Sequence, residues 1–272
     1  MKADRAKTSV LLVGAGSLLG QALLAASRDD ISITGVSHTA FHDVDCDAYD
    51  VVINMAYDPR YMREAYDQEI DFDRKVARSV ARSHAHFMMM STRRVYGANA
   101  RSPIPEDAPL MPGDPYGRNK ARTEGEVQAL LGERCTVFRL ANVFGFEPGR
   151  HTFLGIALDN LRQHGRIVLD ANPFVEKDFI PLPDCIGAIL AMIPRRAAGT
   201  YNIGYGTGTA TGRIAMWLIE GFGRGELVVS SAEERDSFLL DISRFKALTG
   251  SPERHASIRD YCVEIGERLR NA

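Results

Sequence analysis

The sequence predicts a doubly wound α/β fold, on three observations. Short apolar, β-branched runs alternate with amphipathic stretches through the first half of the chain. The first of these runs stops at a glycine-rich turn that leads into a helix-like stretch. A chain of 272 residues, 45% hydrophobic and 25% charged, can bury one large core, or one core with a small appended lobe.

The elements follow in order. Residues 9–13 form an apolar run ended by Gly14, and residues 17–26 form the amphipathic stretch after it. Residues 31–36 and 51–55 read as strands, 64–83 as a helix and 87–91 as a buried strand, which gives β-α-β-β-α-β. A helix over 116–131 and a strand over 136–140 extend the alternation, as in a parallel sheet covered on both faces. Only fourteen residues separate Val36 from Val51, too few for an ordinary helical crossover, so one strand–helix unit is trimmed there. After Asn142 the alternation loosens: a helix near 152–164, strands near 167–169 and 178–182, and a helix from Asp184. Segments at 201–203, 210–220 and 227–229 and a helix near 258–269 complete the chain.

Composition narrows the partners. The net charge is −2 with signs interspersed, so there is no basic stripe of the kind nucleic acid requires. No apolar stretch reaches membrane-spanning length. Residues 1–8 are polar and lack the apolar core of a signal peptide, and Cys46, Cys135, Cys185 and Cys262 are widely scattered; a reducing cytoplasm is the expected location. His84, His86, His151 and His164 have no metal-ligand spacing, and no metal is assigned.

Gly14-Ala15-Gly16-Ser17-Leu18-Leu19-Gly20 lies where bare N–H groups and a helix N-terminus can hold a pyrophosphate, which makes the sheet Rossmann-type. Leu19 takes the third place of G-x-G-x-x-G; read as G-x-x-G-x-x-G, Ser17 takes the middle one. The same turn also serves as a plain strand-to-helix connection. At the end of the second strand Ser37, His38 and Thr39 stand where an acid would bind ribose hydroxyls, so nothing there repels a 2′-phosphate. NADP(H) is permitted and NAD(H) is not excluded. His38 reads equally as a solvated loop residue, and Asp43 and Asp45 either approach an adenine amino group or are solvated acids.

Tyr116 and Lys120, four residues apart, share one helix face. A phenol ionises at about 10, and bringing it to neutral pH takes roughly 4 kcal/mol of help from nearby positive charge, which Lys120 can give. Ser91 and Thr92 end an apolar strand that contains three methionines, at the strand end where ligands bind in open sheets. Either hydroxyl can meet a substrate oxygen; either can cap the strand.

Taken in order, the glycine turn, Asn54-Met55-Ala56, Ser91-Thr92-x-x-Val95-Tyr96-Gly97 and Tyr116-x-x-x-Lys120 resemble the extended short-chain dehydrogenase/reductases, the NAD-dependent epimerase/dehydratase type. Arg139-Leu-Ala-Asn142-Val-Phe-Gly145, the Lys177 to Asp184 stretch and Gly199-Thr-Tyr-Asn202-Ile-Gly204 continue the likeness, which spans roughly residues 9–265. The resemblance implies a dinucleotide-binding Rossmann domain over 1–145, carrying the catalytic residues. It further implies a small, discontinuous substrate-binding lobe over 146–272, with segments near 178–204 returning to the first domain. It makes Tyr116 the general acid/base, Lys120 the ligand of the nicotinamide ribose and Thr92, preferred to Ser91, the residue orienting the sugar. Gly14 to Gly20, Asn54, Met55, Ala56 and Ser91 then line the cofactor. Asn142 becomes a substrate contact, and Lys177 replaces a phosphate-binding arginine, a point charge in place of a fork.

The implied substrate is a nucleotide-activated sugar. Relatives that dehydrate such sugars follow the threonine with acidic residues; here Arg93 and Arg94 stand there, which disfavours dehydration and leaves them either phosphate contacts or, for Arg94, solvated. Two activities remain. The short chain, trimmed crossover and missing ribose acid favour reduction of a 4-keto group with an exchanging cofactor, as in dTDP-4-dehydrorhamnose-type reductases. The Lys177 segment and Asn142 favour a 4-epimerase. A catalytically silent NADP(H)-binding regulator is a third reading, opposed by the intact Thr92, Tyr116 and Lys120. A homodimer through the helices at 64–83 and 116–131 is expected by family analogy, although helices covering a monomer's sheet look alike.

Overall fold

The computed structural model describes residues 7–26, 28–98, 102–233, 236–251 and 253–272; the segment at 1–6, read as carrying no leader, lies outside the described residues. The chain opens with β1 (Thr8–Val13), α1 (Leu18–Ala25), β2 (Ile31–Val36) and β3 (Val51–Asn54). It continues through α2 (Phe72–Val80), β4 (His86–Thr92), α3 (Pro115–Leu131) and β5 (Cys135–Leu140). Then come β6 (Asn142–Phe144), α4 (Phe153–His164), β7 (Arg166–Leu169), β8 (Glu176–Pro181), α5 (Leu182–Met192) and β9 (Gly199–Ile203). β10 (Gly208–Ala210), α6 (Thr211–Phe222), β11 (Glu226–Val229), α7 (Ser243–Thr249) and α8 (Ile258–Arg270) finish it.

Six strands form one parallel sheet in the order β2-β1-β3-β4-β5-β9. This is the expected Rossmann-type doubly wound sheet, and its order reverses at β1, so the carboxyl ends of β1 and β3 open a crevice. Side chains alternate between two buried faces. Leu12, Ile53, Met88 and Phe138 pack on one side and Leu11, Val52, Met89 and Val137 on the other, all fully buried, so the methionine run is strand core.

Between β2 and β3 the chain makes only two 3-10 turns, at Phe41–Asp43 and Cys46–Ala48, and β2 stays the edge strand. The crossover is trimmed as predicted. The helix expected over 64–83 is shorter, because acidic side chains draw the preceding backbone into turns. Asp67 accepts the Glu69 N–H at 2.8 Å and Asp71 the Arg74 N–H at 3.0 Å, so Asp71 caps α2 and the helix starts only at Phe72.

A third buried cluster joins α4, α6 and α8, with Leu158, Leu218 and Cys262 at its centre. Beside it lies a three-stranded sheet, β10-β8-β6. A single residue, Ala141, separates β5 from β6: its N–H bonds the Ile203 carbonyl of the large sheet at 2.9 Å, and the next strand pairs with β8.

Candidate active site

The glycine turn is built for close approach. The N–H groups of Gly14 and Ala15 both donate to the Val36 carbonyl, at 3.0 and 3.1 Å, which binds the turn to the end of β2. Gly14 has φ +85°, and a Cβ there would stand 2.5 Å from the Ala56 nitrogen, so glycine lets the ends of β1 and β3 meet. A Cβ on Gly20 would stand 2.5 Å from the Gly14 carbonyl, while one on Gly16 would find nothing within 4 Å. Ser17 accepts the Gly20 N–H at 3.0 Å and caps α1. Gly14 and Gly20 therefore pack the turn, and Gly16 leaves open space beside it, room for a pyrophosphate against backbone.

A cavity of about 230 Å³ opens at this crevice. It gathers Ser17, Leu18 and Leu19 from the turn, Asn54, Met55 and Ala56 after β3, Ser91 at the end of β4, and Tyr116 with Lys120 from α3. Segments far apart in sequence thus converge on one place. α3 is held there by the Asp114 cap, which takes the Gly117 N–H at 2.8 Å, and by Gly117 itself, where a Cβ would stand 2.6 Å from the Arg94 carbonyl.

Tyr116 is half-buried, with Tyr61 edge-on at 6.4 Å and the Arg94 guanidinium 5.4 Å from its ring centre. Lys120 is buried and donates to the Met90 carbonyl at 2.8 Å and to Asp73 Oδ2 at 2.5 Å; Asn54 donates to Asp73 Oδ1 at 2.7 Å. Burial works against the charge on Lys120, but Asp73 and Tyr116 outweigh it and hold the ammonium above its ordinary pKa. Burial pushes the Tyr116 phenol up; Lys120 draws it down, Asp73 adds to the rise, and the balance lies above the ordinary value. In the free protein Tyr116 is a phenol at neutral pH.

The two hydroxyls at the end of β4 face differently, as neighbours on a strand must. Ser91 is buried, reaches the cavity and donates to Glu124, whose carboxylate pairs with Arg139 at 2.7 Å. Thr92 accepts the Arg94 N–H at 3.3 Å, caps the turn Arg93–Tyr96 and does not line the cavity. Neither arginine stands free. Arg93 pairs with Asp236 and stacks on Phe238, 3.9 Å from the ring centre, and Arg94 pairs with Asp114 at 2.8 Å.

A second cavity, of about 480 Å³, adjoins the first and is lined by Asn142 on β6 and Lys177 on β8. Val143, Glu147 and Thr152 line both. Glu147 is 6% exposed and 3.7 Å from Arg150; burial lifts its pKa, against the pull of Thr152 and Arg150. Sequence reasoning missed Glu147, Arg150 and Thr152, and it missed Asp73; none belongs to a spaced motif. Ser37, His38 and Asp43 stand outside both cavities, exposed beyond the end of β2. The Ser37 hydroxyl lies 2.8 Å from that of Thr39, His38 is edge-on to Phe72 at 5.4 Å, and Asp43 pairs with His42 at 3.1 Å.

Residues 10–204 match the family model of the NAD dependent epimerase/dehydratase family. UDP-glucose 4-epimerase of Azospirillum brasilense is 30% identical over 153 residues, covering 48% of this chain and 44% of that protein. dTDP-glucose 4,6-dehydratase of Streptomyces antibioticus is 28% identical over 155 residues, 55% of this chain and 46% of that protein. The chain spans about half the length of the curated relatives it matches. Among solved structures, RMD from Pseudomonas aeruginosa complexed with NADPH superposes with a TM-score of 0.83 at 20% identity, over 97% of this chain and 99% of that one. UDP-N-acetylglucosamine 4-epimerase from Methanobrevibacter ruminantium M1, in complex with UDP-N-acetylmuramic acid, gives 0.82 at 16% identity, over 96% and 98%. At these identities the likeness is one of fold.

Proposed function

The chain belongs to the NAD dependent epimerase/dehydratase family, and from that premise we propose that it is an NAD(P)-dependent oxidoreductase that reduces the 4-keto group of a nucleotide-activated sugar, with Tyr116 as proton donor. The observation that carries this reading is the meeting of Tyr116 and Lys120 with the glycine turn in one cavity, the phenol held above its ordinary pKa. Burial raises the phenol and Lys120 draws it back, and the phenol, carrying its proton in this cavity, is the group placed to give it to a developing alkoxide.

The residues fit a dinucleotide: open space at Gly16, a helix N-terminus, and Asn54 to Ala56 across the crevice. When bound, a reduced nicotinamide supplies the hydride. Lys120 has one ammonium proton beyond its two protein partners, free to meet a ribose hydroxyl or the phenol. Ser91 or Thr92 orients the sugar. Asn142 and Lys177 in the larger cavity hold the nucleotide diphosphate end, and the sugar passes the seam at Glu147 toward Tyr116. With Ser37 and His38 and no acid at the end of β2, NADP(H) is permitted and NAD(H) is not excluded.

We take residues 1–145 as the cofactor domain and 146–272 as mainly the substrate lobe, and a homodimer through α2 and α3 as the assembly. A 4-epimerase is the second reading, favoured by the 30% identity to a UDP-glucose 4-epimerase. Mixing the protein with NADPH or NADH and nucleotide-linked 4-keto and 4-hydroxy sugars separates the two. Stoichiometric loss of reduced cofactor with a keto sugar, abolished by Tyr116→Phe, supports the reductase. Interconversion of hydroxy epimers without net cofactor use overturns it in favour of the epimerase.

A further inference from the structure

Asp73 occupies an uncommon place for a carboxylate. It lies on α2, its side chain 4% exposed, against a Lys120 side chain 5% exposed. Both of its oxygens are held, one by Lys120 at 2.5 Å and one by the Asn54 amide at 2.7 Å, so β3 and α3 fix it from two sides. A buried ammonium and carboxylate at this distance hold each other firmly, because either one alone would be a costly unpaired charge. The ammonium is thus drawn toward α2, and its nitrogen stands 6.0 Å from the Tyr116 ring centre.

We propose that Asp73 is a positioning residue for proton transfer: by holding the Lys120 ammonium and offsetting its charge, it sets how strongly that ammonium pulls on the Tyr116 proton. The inference rests on the reductive reading above. Lys120 on its own helix and Arg94 on the turn after β4 favour the phenolate, while Asp73 on α2 and burial oppose it. Tyr57 and Tyr61 come from the segment after β3, and Glu147 and Arg150 bring an acid and a base to the same cavity. Removing the Asp73 charge leaves the Lys120 ammonium facing Tyr116 without its nearest offset, while Arg94 stays paired with Asp114.

The test is a titration of Tyr116 in the ligand-free protein, by NMR of tyrosine labelled at Cζ, the Tyr116 signal being identified by its loss in Tyr116→Phe. Asp73→Asn is expected to raise the phenolate-to-phenol ratio of Tyr116 at fixed alkaline pH by at least about tenfold, one pH unit in its midpoint. Lys120→Met should move the midpoint the other way. Opposite shifts from the two halves of one ion pair are not what a general loosening of structure produces. Asp73→Thr, close in volume, serves if the amide is not tolerated. An unchanged or raised midpoint in the folded Asp73 variant overturns the proposal. Because no sugar or cofactor is present, failure of the reductase assay leaves this titration readable, and failure of the titration leaves the assay readable.

Discussion

Gly14 meets Ala56 so closely that one added methyl group would stand 2.5 Å from the Ala56 nitrogen, on a backbone already at φ +85°. Gly16, two residues on, faces open space. Gly14→Ala is therefore expected to destabilise the free protein by on the order of 3 kcal/mol, from backbone strain and overpacking together. Gly16→Ala should melt close to the parent protein yet bind NADPH at least about tenfold more weakly, because its methyl group occupies ligand space. Thermal melts and calorimetric titration with NADPH check both; equal losses of stability would contradict the division of roles.

Glu147→Gln tests the seam between the cavities. Glu147 is buried and lines both cavities, and on the proposed function such an acceptor loses discrimination for a donor-rich sugar when its charge is removed. The expected result is a rise in sugar-nucleotide KM of about tenfold or more with NADPH affinity nearly unchanged. A loss confined to NADPH binding would instead assign Glu147 to the cofactor.

Arg93→Ala separates a structural arginine from a phosphate contact. Its pairing with Asp236 and its stacking on Phe238 predict a stability loss of roughly 1–3 kcal/mol, with UDP and dTDP binding unchanged. Weaker nucleotide diphosphate binding at unchanged stability would restore the phosphate role.

His86 and Asp178 give opposite pH dependences over one window. Burial lowers the His86 pKa from 6.5 to about 4, so the unfolded chain takes the proton first; the stability His86 contributes is complete above 6.5 and is lost as pH falls toward 4. Burial, opposed by three backbone N–H groups and Arg254, raises Asp178 from 3.8 to about 6. The folded chain therefore binds that proton more tightly, and its penalty eases as pH falls through the same range. The two largely offset each other. His86→Gln should remove the acid-side loss, at most about 3 kcal/mol, leaving a protein relatively more stable at pH 5 than at pH 7 when urea melts are compared with those of the parent.

The sheet was legible because parallel strands buried on both faces leave continuous apolar runs, as at residues 87–90 of β4, while the edge strand β2 showed through its β-branched residues over 31–36. The long helix over 64–83 was not, since Asp67 and Asp71 turn the backbone through side-chain hydrogen bonds that hydrophobic spacing does not reveal. The three-residue strands β6 and β10 and the short α7 carry too little pattern to register. In the site, what could be read was what lies in one stretch: the glycine turn, and the Tyr116 and Lys120 pair. Asp73 and Glu147 come from segments without a motif, and only folding brings Glu147 to the cavity and Asp73 to the Lys120 ammonium. Ser91 and Thr92 illustrate a different limit, because one position along a strand decides which hydroxyl reaches the cavity.

Ala141 is the joint on which these parts turn. Leu140 at the end of β5 lines the cavity of Tyr116 and Asn142 at the start of β6 lines the larger one, so the offset between the two is set by one peptide unit tied to Ile203. On the proposed function, loops around the larger cavity could vary in length and shape and so trade one sugar for another while that span stays constant. An insertion at residue 141 would do the opposite: every loop would survive, but the alternation along β6 would reverse and Asn142 would turn from the cavity. On that reading, ligand choice and chemical step could change independently, with the calibration between them lodged in a residue that has no functional group.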